Sequence, residues 1–334
     1  MKVLFIGGSG NISSAVSSLA LECGIDLYHL NRGNTVSNFN GVHKFIADIN
    51  DKEEVSNVIA NYKWDVVVNW IAFKPKDILR DFELFKDKTN QYIFISSASA
   101  YQKPLTYPIV TESTPLKNPF WKYSQDKIAC EETCNQLYRE KDFPITIVRP
   151  SLTYNTVIPV AIGSWTDFTI IDRMRQGKPV IIHGDGTSLW TITHADDFAK
   201  GFVGLLGHKQ AIGHAFHITS DEVLTWNQIY DAVANAAGAP LKAIHISSEF
   251  ICRISDSLPG WDWMRGNLFG DKAVSAIFDN TKIKSFVPGF VAAIPFAEGI
   301  KKTVKWFEEN PSRMIVDANK NILMDKIIEA YSKI

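Results

Sequence analysis

The stretch that most constrains this chain is its beginning. An apolar run, Val3-Leu4-Phe5-Ile6, passes directly into Gly7-Gly8-Ser9-Gly10-Asn11-Ile12-Ser13, and a helix-like segment follows. A strand-length run that ends in glycines and feeds a helix is the opening of a βαβ unit. Glycine at 7 permits a tight turn, and glycine at 10 lets the backbone approach a pyrophosphate held at the helix N-terminus. The next position of the pattern, commonly glycine for close helix–strand packing, is Ser13, which is small enough to serve. Gly7, Gly10, Asn11 and Ile12 are therefore candidate cofactor-binding residues.

The chain continues in the rhythm this opening implies. Val3–Ile6, Asp26–Leu30, His43–Ala47, Val66–Trp70, Tyr92–Ser96 and Ile145–Arg149 read as strands. Ile12–Cys23, Lys52–Asn61, Pro75–Phe85 and Tyr123–Glu140 read as helices between them. Unbroken runs such as Val66-Val67-Val68 suit strands covered on both faces, as in a parallel sheet. The expected fold is α/β: a Rossmann-type doubly wound parallel sheet with a smaller, interleaved mixed α/β half. Residues 1–155 are expected to hold the dinucleotide, with 190–215 returning to that half. Residues 156–189 and 216–334 are expected to bind substrate. Trp70, closing the fourth strand, joins the cofactor candidates.

Composition removes other classes. Of 334 residues 46% are hydrophobic, so a large core can form and disorder is excluded. With 35 Lys+Arg against 36 Asp+Glu the formal net charge is −1, which lacks the positive field of a nucleic-acid binder. No apolar stretch approaches the ~20 residues of a membrane span. Four cysteines in so long a chain make no disulfide framework, and the histidines show no metal-like spacing. A cytoplasmic protein without a metal, nucleic-acid or membrane partner is expected.

The end of the second strand bears on the choice of dinucleotide. An acid there would bind the ribose 2′-hydroxyl of NAD, and an arginine would accept the 2′-phosphate of NADP. The chain has Asn31-Arg32-Gly33 and no acid. NADP(H) is favoured, with NAD(H) possible. Asp48-Ile49, after the third strand, could flank the adenine or cap the helix that starts near Asp51.

A catalytic constellation lies further along. The fifth strand ends in Ser96-Ser97, and Tyr123-Ser124-Gln125-Asp126-Lys127 opens a long helix. Tyr and Lys four apart share a helical face, so an ammonium can sit near the phenol and favour phenolate. A serine hydroxyl at the sheet edge can hold the oxygen of a reacting alcohol or carbonyl. A proton acceptor, a polariser and a fixed nicotinamide are what hydride transfer requires.

With these motifs the chain resembles extended or atypical short-chain dehydrogenases/reductases of the NAD-dependent epimerase/dehydratase group. The likeness runs through Gly7–Ser13, Val66–Ala72, Ser96–Tyr101, Tyr123–Lys127, Arg149-Pro150 and Gly184-Asp185-Gly186 to His194-Ala195-Asp196-Asp197. It implies that the catalytic Ser lies four residues before a Tyr, which selects Ser97 with Tyr101 rather than Ser96. Tyr123 would then be the general acid/base. Lys127 would lower its pKa and bind the nicotinamide ribose. The resemblance also implies a sugar-like small-molecule substrate and a homodimer through the Tyr123 helix and its neighbour.

Departures from the family pattern narrow these expectations. Relatives that dehydrate sugar nucleotides carry Asp-Glu directly after the catalytic residue, where this chain has Ala98-Ser99, so 4,6-dehydration is not expected. An Arg-Asp pair that holds a diphosphate is replaced by Trp190-Thr191, and a common Asn by Leu152. Arg173, Arg175, Arg265 or Lys272 could substitute. Trp121, Trp165, Trp190, Trp261 and Trp263 are candidates to line a substrate cleft. An oxidoreductase or epimerase is the favoured reading. The alternative is a non-catalytic dinucleotide-sensing or RNA-associated protein of the same fold.

Overall fold

Seven parallel strands form the central sheet of the computed structural model, which describes residues 1–33 and 39–333. In chain order the elements that build this layer are β1 (Lys2–Ile6), α1 (Asn11–Glu22), β2 (Asp26–Asn31), β3 (His43–Ile46), α2 (Lys52–Val58), β4 (Val66–Asn69), α3 (Pro75–Phe85), β5 (Tyr92–Ile95), α4 (Lys122–Lys141), β6 (Ile145–Pro150), α5 (Ala195–Leu205) and β7 (Ala215–Ile218). Their order across the sheet is β7-β6-β5-β4-β1-β2-β3. Val3 of β1 pairs with Leu27 on one side and Val66 on the other. The order therefore reverses at the carboxyl ends of β1 and β4, where open α/β sheets bind their ligands.

Alternation along each strand supplies both faces of the core. Val3, Phe5, Val66, Val68, Ile93 and Ile95 pack on one side with Val16 of α1 and Phe198 and Phe202 of α5. Leu4, Ile6, Val67, Tyr92 and Phe94 pack on the other with Ile78 of α3 and Cys130 and Cys134 of α4. Burial pushes the Cys130 thiol up to about 12, so these cysteines are neutral packing groups.

The sequence reading places six strands in this sheet and a seventh, after Gly213, in the smaller half. The structure differs there. Ala215–Ile218 lies parallel to β6, with Ala215 opposite Ile147, so the sheet takes in the chain as far as Ile218. Its Phe216 and Ile218 are fully buried, which a lone surface strand would not permit.

The remaining chain makes two-stranded pairs and helices. Val180–His183 runs parallel to Ala243–Ile246, and Leu152–Tyr154 parallel to Ile192–His194. Trp226–Ala237 is a helix with a Thr225/Gln228 capping box and Gly238 in the left-handed region at its end. A last helix, α6 (Ala318–Tyr331), buries Leu323, Met324 and Ile327. Among the described residues no helix is long and apolar enough to cross a membrane.

Candidate active site

The glycine turn is built around two side chains that leave no room for a Cβ. Gly7 has φ of 84°, and a Cβ on it would sit 2.7 Å from Cγ2 of Ile71. A Cβ on Gly8 would meet the His29 ring at 2.4 Å. That ring is fully buried and bonded to the Ser17 hydroxyl at 3.0 Å, so it cannot move aside. Ser13 does what a glycine could not: its Oγ accepts from the Gly10 amide at 2.8 Å and donates to the Gly7 carbonyl at 3.2 Å. Beyond Gly10 the space is open, since the nearest atom to a Cβ there would be Ser13 Oγ at 3.4 Å. The first amides of α1 lack intrahelical acceptors and point where an anion would lie. Nearby, the indole Nε1 of Trp70 is buried without a partner. This open backbone cradle suits a dinucleotide pyrophosphate.

Asn11 is used differently from the expectation. Its side chain donates to the Thr153 carbonyl at 2.9 Å and accepts from the Asn155 and Thr156 amides at 2.9 and 3.0 Å. These bonds tie the turn to the segment after β6, so only the Asn11 backbone is available to a cofactor.

At the end of β5 the two serines separate. Ser96 donates to Glu131 at 2.5 Å, and Glu131 is clamped by Arg149 at 2.6 Å, all of it buried. Tyr101 is buried beside them, with its hydroxyl 3.0 Å from His217 Nδ1 and the Arg149 guanidinium over its ring. Ser97 instead borders the open space. Its Oγ lies 2.9 Å from Ser99 Oγ and caps the short turn Ala98–Ala100, while Ser124 donates to Ser99 at 2.8 Å. Ser97 also lies close enough to the Tyr123 phenol to favour its ionised form.

Lys127 stands otherwise than the Tyr–Lys spacing suggests. Its Nζ is 5.8 Å from the Tyr123 ring centroid, but it donates to the Ala72 and Ile95 carbonyls at 2.7 and 2.8 Å. Burial lowers Lys127 to about 8. Burial also raises Tyr123 above its usual value, against the opposing effect of Ser97. In this arrangement desolvation, not the Lys127 charge, sets the direction of the phenol's shift.

One cavity of about 740 Å³ joins these groups: Gly7, Gly10, Asn11, Ile12, Trp70, Ser97, Tyr123 and Lys127 all line it. Asn31, Arg32, Asp48 and Ile49 lie outside that lining. Arg32 is exposed at the end of β2, and the residues after Gly33, 34–38, are outside the described chain. Asp48 accepts from the Asn50 amide at 2.9 Å, which with Arg32 nearby holds its carboxyl below the usual range. The cap of α2 is Asp51, which accepts from Glu54 N at 3.0 Å. Ile49 is buried in the core.

The order of the strands, the glycine turn at the switch point and the Ser–Tyr–Lys wall agree with a match of residues 3–219 to the NAD dependent epimerase/dehydratase family. The chain belongs to that family. Among relatives of this epimerase/dehydratase-family protein, 2'-dehydrokanamycin reductase of Streptomyces kanamyceticus is 24% identical over 251 residues, covering 75% of this chain and 70% of its own. Human dTDP-D-glucose 4,6-dehydratase is 24% identical, covering 92% of this chain and 90% of its own. UDP-glucose 4-epimerase from Bifidobacterium longum, solved in complex with NAD+ and UDP, superposes with a TM-score of 0.72 at 18% identity, covering 94% of this chain and all (100%) of that one. A reductase, a dehydratase and an epimerase stand together, so similarity alone selects no one reaction.

In this family member the cavity is also lined by Trp121, whose ring lies 5.0 Å from that of Tyr123, and by Trp165, Trp261 and Trp263 from farther along the chain, whereas Trp190 is buried in the core. Of the four cations considered as substitutes for the missing arginine, Lys272 lines the cavity. Arg173 is bonded to Asp325 at 2.6 Å, Arg175 to Glu308 at 2.5 Å, and Arg265 to Glu249 and Asp256 at 3.2 and 2.8 Å. Lys103, Asp271 and Lys320 also line the cavity and escaped the sequence reading. Only the position of Lys103, two residues after Tyr101, hinted at it. Among the described residues no three His, Cys, Asp or Glu side chains gather as metal ligands.

Proposed function

We propose that this chain is an NAD(P)-dependent oxidoreductase or epimerase acting on a secondary alcohol or ketone of a sugar-like metabolite. The observation that carries the reading is the single cavity bordered by the glycine turn at one end and by Ser97 and Tyr123 at the other. Gly7, Gly10 and the backbone of Asn11 and Ile12 would hold the pyrophosphate, with Trp70 beside them. Arg32, exposed where the adenosine ribose of such a fold lies, favours NADP(H), and NAD(H) remains the second choice. The half that holds the dinucleotide is residues 1–155 together with 190–218, and the rest binds substrate. A bound nicotinamide supplies hydride acceptance or donation.

The protein's own part is proton management. Ser97, close to the Tyr123 phenol, would present its hydroxyl to the substrate oxygen and so direct the proton toward Tyr123. Tyr123 takes the hydroxyl proton in the oxidative direction and returns it in the reductive one. Lys127 stiffens the β5 end through its two carbonyl bonds, and its ammonium is the nearby charge that stabilises phenolate once the site is filled. Ala98 and Ser99 offer no carboxylate for removing a neighbouring hydroxyl, so 4,6-dehydration is not part of this reading. The test is reduced-nicotinamide absorbance after mixing NADP(H) with pooled sugars and ketones. Turnover by the native chain and none by Tyr123→Phe, with dinucleotide affinity unchanged, is expected. Full activity of Tyr123→Phe would remove the mechanism.

A further inference from the structure

The cavity that Tyr123 lines also holds a cation with no partner among the described residues. Lys103 is only 4% exposed and lines the cavity, yet among the described residues its ammonium makes no hydrogen bond and no ion pair. The carboxylate whose charge acts most strongly on it, Asp271, is already bound to Lys272 at 2.6 Å. The same Asp271 charge is felt by Tyr123, and Lys103, Lys272 and Tyr123 line one cavity. Of the other two lysines of the lining, Lys320 is paired with Asp167 and Lys127 donates to the Ala72 and Ile95 carbonyls. The group Lys103, Asp271 and Lys272 therefore carries one positive charge in excess.

Placing an ammonium in a dry wall is costly unless an anion meets it. The cavity lining has a large apolar share, Trp261, Trp263, Met264 and Phe278 among it, and the one carboxylate whose charge acts on Lys103 is held by Lys272. Burial accordingly lowers Lys103 from its usual value. An anionic oxygen from a ligand would restore the balance, forming the charge-assisted hydrogen bond that the protein leaves unmade.

We propose that Lys103 is a substrate-recognition residue that binds an anionic oxygen group, carboxylate or phosphate, of the molecule whose alcohol or ketone reacts at Tyr123. The inference rests on the proposed function for the words "substrate" and "reacts", but the anion subsite itself does not. It stands on the unpartnered buried ammonium and the cavity it faces.

The test is binding to the full chain, read from the fluorescence of the tryptophans that line the cavity. The probes are D-glucuronate, D-glucose 6-phosphate, UDP and D-glucose, applied to the native protein, Lys103→Met and Lys103→Arg. At least one anionic probe should bind roughly tenfold or more tighter than glucose, the effect of one charge-assisted hydrogen bond. That preference should vanish in Lys103→Met and return in Lys103→Arg. Preference for glucuronate names a carboxylate, for glucose 6-phosphate a phosphate ester, and for UDP a diphosphate. Methionine matches the lysine stem in volume and removes a buried charge, so the variant should fold; an unchanged thermal midpoint by circular dichroism confirms it. Equal binding of every anionic probe by native and Lys103→Met protein, or no Lys103-dependent binding at all, overturns the proposal. Because Tyr123→Phe should keep the preference, a failed catalytic reading and a failed anion subsite give different results.

Discussion

Asn118 joins three parts of the site, and its removal should show how much they depend on one another. The residue is 3% exposed, and its Nδ2 donates to the Ser99 carbonyl at 2.8 Å and to the Gly270 carbonyl at 2.7 Å. Its Oδ1 accepts from the Phe120 and Trp121 amides at 3.1 and 3.2 Å, just before α4 brings in Tyr123. One side chain thus pins the serine turn, the start of the tyrosine helix and the segment carrying Asp271. A net value of about 0.5–1.5 kcal/mol per bond, with buried carbonyls left unsatisfied, puts Asn118→Ala at a loss of about 3 kcal/mol. Urea unfolding followed by circular dichroism measures this, with an unchanged m-value as the sign that the unfolded state is not the cause. Asn118→Asp separates donors from acceptors. It keeps an oxygen for the two amides but sets the other against two carbonyls, so it should be no more stable than alanine. A loss under about 1 kcal/mol for alanine, or rescue by aspartate, would refute the claim that the two donated bonds hold these parts together.

Three further outcomes follow from the geometry. Arg32→Ala should weaken NADP+ binding by about tenfold or more, the loss of one charged contact, and leave NAD+ binding almost unchanged, as measured by dinucleotide titration. Gly8→Ala, although its backbone is ordinary, should cost about 1–3 kcal/mol in urea unfolding because the new Cβ meets the immobile His29 ring; a neutral result would mean the ring is free to move. Lys127, lowered to about 8 from an ordinary 10.5, gives a pH dependence of defined sign. Between those values the unfolded chain holds a proton that the folded chain has released, so stability rises with pH across that window. Relative to Lys127→Met, the native protein should gain stability from pH 8 to pH 10.5, and a flat difference would show that the lysine titrates normally.

Much of this fold is legible in the sequence because short-range signals are strong there. Pro75 at the first helical turn marks α3, and Thr225 with Gln228 and then Gly238 marks Trp226–Ala237; both helices have the bounds that those residues suggest. The strand runs are apolar on both sides because both sides are covered. The glycine turn, Ser97 and Tyr123 could be found because each follows a recognisable element end. The partners that decide what those groups do were hidden. Lys127 spends its donors on the carbonyls of Ala72 and Ile95, and a backbone carbonyl leaves no mark in composition or spacing. Asn11 is drawn away from the cofactor by amides 144 and 145 residues downstream. Lys103 feels the charge of Asp271 across more than half of the chain, a proximity only the folded topology creates.

The cavity also imposes an order on the making of the protein. Its rim begins with Gly7 and is closed by Lys320, Leu323 and Met324 of α6. The chain through β7 already carries the sheet, the glycine turn and the serine–tyrosine pair, while the rest of the lining, from Trp261 to Met324, follows later in the sequence. Until those residues are in place the glycine turn stands open on that side. Met324, fully buried in the folded protein beside Gly163, follows every other residue of the lining in chain order. Enclosure of this site is thereby tied to the presence of α6, and a product cut before it would hold the glycine turn without that enclosure.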